Sequence, residues 1–233
     1  MKKERIEING IPTVIWGEKS KKVYIAVHGN MSNKEDDGIA ILAEKVVSKG
    51  YQLLSFDLPE HGERIDKKEY LCRFKNCVKD LKSIIEYAKS LYDEINIWAC
   101  SMGAYFSLVA CKEEKICKAL FLSPIVNMKF LIDNMMTGDI TKEMLREKKI
   151  IKNDYGQTLY WDDYEFVENN LIEKWNADTY ILYGDKDVLQ EEKILKNFCN
   201  RFNCKLTVVE NGEHYFHTKE QIDKYIDWLD EII

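Results

Sequence analysis

Short apolar runs and amphipathic stripes alternate along almost the whole chain, and this alternation narrows the choice of fold more than any other feature. Six runs have strand length: Lys22–Val27, Tyr51–Phe56, Ile95–Ala99, Lys118–Leu122, Thr179–Tyr183 and Lys205–Val209. Helical patterns lie between them. Asp36–Lys49 ends at Gly50, a residue suited to a helix stop. Leu71, Phe74, Val78, Leu81, Ile85, Ala88 and Tyr92 form a stripe within Tyr70–Tyr92. Glu191–Arg201 is a further helix, and Ile222, Tyr225, Ile226, Leu229 and Ile233 line a terminal one. Arg5–Ile8 and Thr13–Trp16 flank Asn9-Gly10, the dipeptide of a tight hairpin. Strands separated by helices predict a mostly parallel sheet covered on both faces, with function at the carboxyl ends of its strands.

Pro124–Trp175 breaks the alternation. It is too long for one crossover helix and is rich in Met and aromatic residues. It leaves a strand's carboxyl end, so residues 125–175 are expected to form a helical cap inserted into a single domain spanning 1–233. Packing against the sheet is the plainer use of such side chains.

The chain of 233 residues has 45% apolar residues, enough for a full core, and a formal charge of −6. It has no basic block, so nucleic-acid binding is unsupported. The N-terminus lacks a hydrophobic leader and no run reaches membrane-span length, so a cytoplasmic protein without membrane insertion is expected. Seven cysteines occur without a Cys-x-x-Cys pair, which argues for reduced, buried thiols rather than a disulfide framework or a zinc site. No metal and no cofactor are expected.

Within this frame Ser101 is the most informative residue. An apolar strand stops there, Gly103 follows, and Ala104, Leu108 and Cys111 continue at helical spacing. A strand–turn–helix around Ser-x-Gly exposes the hydroxyl and aims the helix's amides at the same point. A serine that merely caps a helix would share part of this pattern. A nucleophile needs a base and a group to orient it. The chain has only four histidines. His214 follows the last strand, and Asp187 follows the strand before it. The order Ser, Asp, His at three strand ends favours catalysis over a turn-forming Asp187 and a merely polar His214. Asp185 is the alternative acid, and His217 a second base. His28-Gly29-Asn30 ends another strand at the same edge, so the amides of Asn30 and Met102 are candidate oxyanion donors. His28 is expected to brace this loop, and Asp57–Gly62 to be structural.

These pieces, with Ala99-Cys100-Ser101-Met102-Gly103 at the elbow, resemble the α/β-hydrolase fold family. Within it they are most similar to small esterases, thioesterases and monoacylglycerol-lipase-like enzymes. The resemblance spans nearly the whole chain and departs at Ala99, where the family pattern has glycine. It implies Ser101, Asp187 and His214 as nucleophile, acid and base, acting on a small-molecule ester or thioester. Met135, Trp161 and Tyr164 of the insertion are the candidate substrate-binding residues. The alternatives are a non-catalytic binding protein on the same fold and an aminopeptidase. The latter would need an anionic site for a substrate amino group, for which Asp162, Asp163, Glu165 and Glu168 are available. Oligomeric state is not legible.

Overall fold

A computed structural model describes all residues 1–233. The chain forms an eight-stranded sheet built from β1 (Lys3–Ile8), β2 (Ile11–Trp16), β3 (Lys22–Val27), β4 (Gln52–Phe56), β5 (Glu94–Cys100), β6 (Lys118–Leu122), β9 (Asp178–Gly184) and β10 (Lys205–Val209). The spatial order is β1-β2-β4-β3-β5-β6-β9-β10. The β1–β2 and β2–β4 pairs are antiparallel and all the others in this sheet are parallel. Asn9 and Gly10 turn the β1–β2 hairpin, both with positive φ.

Helices cover both faces because successive strand residues point to opposite sides. Tyr24, Ala26, Leu53, Trp98, Leu120 and Leu182 pack against Ile39, Leu42, Tyr225, Trp228 and Leu229 of α1 (Asp37–Ser48) and α8 (Lys219–Ile232). Ile25, Val27, Leu54, Phe56, Ile97, Ala99 and Phe121 face the opposite way. They join the larger core with α2 (Phe74–Leu91) and α3 (Met102–Ala110). Strands buried on both faces read as unbroken apolar runs, which is why β3 and β5 were visible in sequence. Fully burying one such leucine is worth about 1.5–3 kcal/mol.

Two expectations need correction in detail. The stripe beginning at Tyr70 becomes helical only at Phe74. Arg73 is extended, and Asp163, distant in sequence, accepts the Phe74 amide at 3.0 Å and pairs with Arg73 Nε at 3.0 Å. The start of α2 is therefore set by another segment. The insertion, expected to be helical, holds α4 (Met128–Met135), α5 (Lys142–Lys148) and α6 (Trp161–Asn169). It also holds an antiparallel pair, β7 (Ile150–Lys152) with β8 (Thr158–Tyr160). Strands of three residues are too short to show alternation. Asn153 closes their turn by accepting the Tyr155 and Gln157 amides.

The Asp57–Gly62 loop is structural, as expected. Buried Asp57 accepts the Lys34 and Glu63 amides and an ion pair from the buried Lys34 ammonium at 2.5 Å. Asp57→Ala would strip Lys34 of its closest partner and is expected to cost about 3–5 kcal/mol. Urea denaturation measures this; a near-wild-type midpoint at unchanged slope would show that the ion pair is dispensable.

Candidate active site

The elbow is built by β5 and α3. Ser101 sits between them at φ 52° and ψ −124°, a strained conformation for a non-glycine residue that costs on the order of 1–3 kcal/mol. Its amide donates to Leu122 O and its carbonyl accepts the Ile125 amide, so neighbouring segments hold the turn. Gly103 is required by packing, since a Cβ there would collide with the carbonyl oxygens of Val27 and His28. Ala99, in contrast, lies within β5, where its methyl is absorbed by the core.

The three sequence candidates meet in one line. Ser101 Oγ is 2.8 Å from His214 Nε2, and His214 Nδ1 is 2.6 Å from Asp187 Oδ2. A carboxylate only accepts, so Nδ1–H donates to Asp187 and Nε2 is left to accept the serine proton. Asp187 Oδ1 accepts the Leu189 amide at 2.8 Å, which fixes the carboxylate. The acid and base loops touch at Gly184 and Gly212, where a Cβ on Gly184 would collide with the Gly212 backbone. Asp185 lies elsewhere, with Lys186 Nζ 3.7 Å from its carboxylate. His217 Nδ1 donates to Tyr215 O, away from the serine.

Asn30 lies in the loop between β3 and α1. Its amide donates to no acceptor in the protein. Met102 opens α3, where first-turn amides lack intrahelical acceptors. Met102 directly follows Ser101, and Gly29, the neighbour of Asn30, lies against it, since a Cβ on Gly29 would fall 2.9 Å from Ser101 Cβ. His28 braces this loop, donating from Nδ1 to Gly29 O and accepting the Leu58 amide at Nε2. Burial lowers its pKa to about 4. Between pH about 6.5 and about 4 the unfolded chain binds a proton that the folded His28 refuses, so its contribution to stability falls as pH falls. His28→Gln is expected to flatten the acid limb of a stability-against-pH curve. An unchanged slope would assign that limb to other groups.

Cys100 beside Ser101 is partly buried, and desolvation pushes its thiol up to about 12, which disfavours a thiolate there. Gln190 was not legible in sequence. It is fully buried, and its Oε1 accepts the Val126 and Asn127 amides, tying the acid loop to the chain leaving β6. Three exposed apolar side chains were also missed: Met31 at 93%, Val188 at 87% and Tyr215 at 65% exposure. Each directly follows a site residue, Asn30, Asp187 or His214.

The insertion residues pack chiefly with one another. Trp161 and Tyr164 stack at 5.7 Å, the Tyr164 hydroxyl donates to Asp133, and Met135 is partly buried against the same core. A cavity of about 390 Å³ opens between α3, α4 and α7 (Glu192–Phe202), lined by Tyr105, Val126, Met128, Ile194 and Phe198; no member of the Ser101–His214–Asp187 line reaches it. No helix is long and apolar enough to cross a membrane.

The same architecture recurs in solved structures. Est1E from Butyrivibrio proteoclasticus, in a structure with bound ferulic acid, superposes with a TM-score of 0.77 at 18% identity, covering 98% of both chains. Mouse alpha/beta hydrolase domain-containing protein 10 gives 0.77 at 16% identity, covering 100% of this chain and 98% of that one. An esterase of Pyrococcus furiosus gives 0.68 at 18% identity, covering 99% and 89%. At these identities the likeness is one of fold. No curated protein matches the sequence. The profile of the serine aminopeptidase S33 family matches residues 18–170, a span that contains Ser101 and ends before Asp187 and His214. With the elbow and the sheet topology described above, the chain belongs to the serine aminopeptidase S33 family of α/β-hydrolases.

Proposed function

We infer that the protein is a serine hydrolase that cleaves a small carboxylic ester or thioester through an acyl-enzyme. The observation that carries this reading is the continuous hydrogen-bonded line Ser101–His214–Asp187 at a strained elbow. Ser101 Oγ attacks the carbonyl carbon while His214 Nε2 takes its proton. Asp187 holds the imidazole tautomer and stabilises the imidazolium. The Asn30 and Met102 amides bind the oxyanion. His214 then protonates the leaving group, and water, activated by the same imidazole, releases the acid.

The test is a panel of p-nitrophenyl esters of increasing chain length beside acyl thioesters, with fluorophosphonate labelling followed by intact mass. One adduct on Ser101 and turnover of at least one substrate class are expected. Absence of labelling in folded protein would favour the non-catalytic binding reading.

The family's description keeps an aminopeptidase reading in view. Such an enzyme needs an unpaired anion for the substrate ammonium. Of the four acidic candidates, Asp163 is paired with Arg73 and Glu168 with Lys142, while Asp162 and Glu165 make no ion pair but are exposed to solvent, so none offers a buried free carboxylate to an ammonium, which favours the ester reading. Hydrolysis of aminoacyl p-nitroanilides at rates above those of the esters would reverse that order.

The insertion is proposed to cap the site and tune substrate choice. Because Trp161 and Tyr164 are spent on packing, they would act by shaping the segment and Met135 by its softer side chain. Met135→Ala is expected to change relative kcat/KM across ester chain lengths by roughly 10–200-fold for the lost apolar contact, and Trp161→Ala and Tyr164→Ala to change it less, through the shape of the segment. Labelling of Ser101 should survive. Three unchanged chain-length profiles would make the segment scaffold.

A further inference from the structure

We propose that Cys72 and Cys77 form a peroxide-sensitive dithiol whose oxidation to a disulfide adjusts the loop carrying Asn30. The two Sγ atoms lie 3.6 Å apart, one on the segment leading into α2 and one in its first turn. Cys72 is half-buried and Cys77 fully buried, so the first is the thiol that a small oxidant meets. The Cys77 thiol and then His61 favour a Cys72 thiolate, while burial and nearby Glu60 oppose it; the balance brings that thiol down to about 6. Burial raises the Cys77 thiol, which keeps it protonated until it resolves the intermediate.

The chemistry balances with a hydroperoxide as the oxidant. The Cys72 thiolate attacks the outer peroxide oxygen, the O–O bond breaks, and the leaving alkoxide or hydroxide takes up a proton. Cys72 becomes a sulfenic acid. Cys77 sulfur then attacks Cys72 sulfur, the S–O bond breaks, and hydroxide leaves with the Cys77 proton as water. Both thiols lose one hydrogen and the peroxide is reduced by two electrons. Forming the bond requires the sulfurs to close from contact distance to about 2.05 Å.

That closure pulls on the site through a short chain of contacts. The Cys72 amide donates to Glu60 Oε2 at 2.7 Å. Glu60 is strained, with φ 58°, and precedes His61. His61 Nδ1 donates to Pro59 O and its Nε2 accepts the Met31 amide at 3.1 Å, beside Asn30. The disulfide itself is independent of the proposed hydrolase activity; its coupling to the site rests on that reading.

The experiment treats reduced, full-length protein with hydrogen peroxide, alkylates the remaining thiols, and maps cysteine peptides by mass. A Cys72–Cys77 disulfide, reversed by a thiol reductant, is expected. Cys77→Ser should instead accumulate a Cys72 sulfenic acid that a cyclic 1,3-dione traps, and Cys72→Ser should give neither product. Oxidised wild type should label more slowly with fluorophosphonate than reduced protein, whereas peroxide should leave the labelling rate of Cys72→Ser unchanged. Recovery of both Cys72 and Cys77 alkylated would overturn the assignment. Disulfide formation with equal labelling rates would overturn the coupling, and a protein that never labels would instead fail the hydrolase reading.

Discussion

Ser101→Ala is expected to abolish fluorophosphonate labelling and to lower kcat by a factor on the order of 10⁶, as removal of a serine nucleophile does elsewhere. The side chain makes one hydrogen bond in the protein, the 2.8 Å bond to His214, so the substitution removes the attacking atom and little else. The backbone strain at φ 52° is imposed by β5 and α3 and persists with alanine. The melting temperature should therefore stay close to that of the wild type. Intact-mass labelling and ester turnover on the same preparation check both statements. Labelling that persists in a folded Ser101→Ala protein would move the nucleophile to another residue.

Asp187→Asn is expected to lower kcat by about 10⁴, and Asp185→Asn to leave it near wild type. The asymmetry follows from contacts. Asp187 Oδ2 receives the His214 Nδ1 proton at 2.6 Å. An asparagine can present its amide N–H there instead, which favours the tautomer that points N–H at Ser101 and cannot take a proton. Asp185 makes no hydrogen bond to His214; its one ion pair is with the exposed Lys186 ammonium, and its Oδ1 is buried without a partner. Steady-state kinetics of the two variants separates the roles, and comparable losses in both would transfer part of the orienting function to Asp185.

The elbow was readable because its parts are local. A strand end, a serine, a small residue two positions on and a helix all lie within Glu94–Ala110. Asp187 and His214 were readable for a different reason. Parallel strands bring all their carboxyl ends to one edge, so two loops after β9 and β10 must lie near the elbow once the sheet exists. Choosing Asp187 over Asp185 was less secure in sequence, since both sit in one turn. The contact between Gly184 and Gly212 sets how the two loops meet, and that is a tertiary fact.

The sequence by itself determined the layer architecture, the strand and helix order and the edge at which chemistry gathers. Apolar period and turn residues act within a few positions, and they were enough for β3, α1, β6 and β10. Tertiary structure decided what depends on partners far along the chain. Asp163 sets where α2 begins, 89 residues from the amide it accepts. Gln190 bonds the Val126 amide across 64 positions, and Lys34 finds Asp57 across 23. A buried polar group must be satisfied wherever its partner happens to lie, and no local pattern records that address.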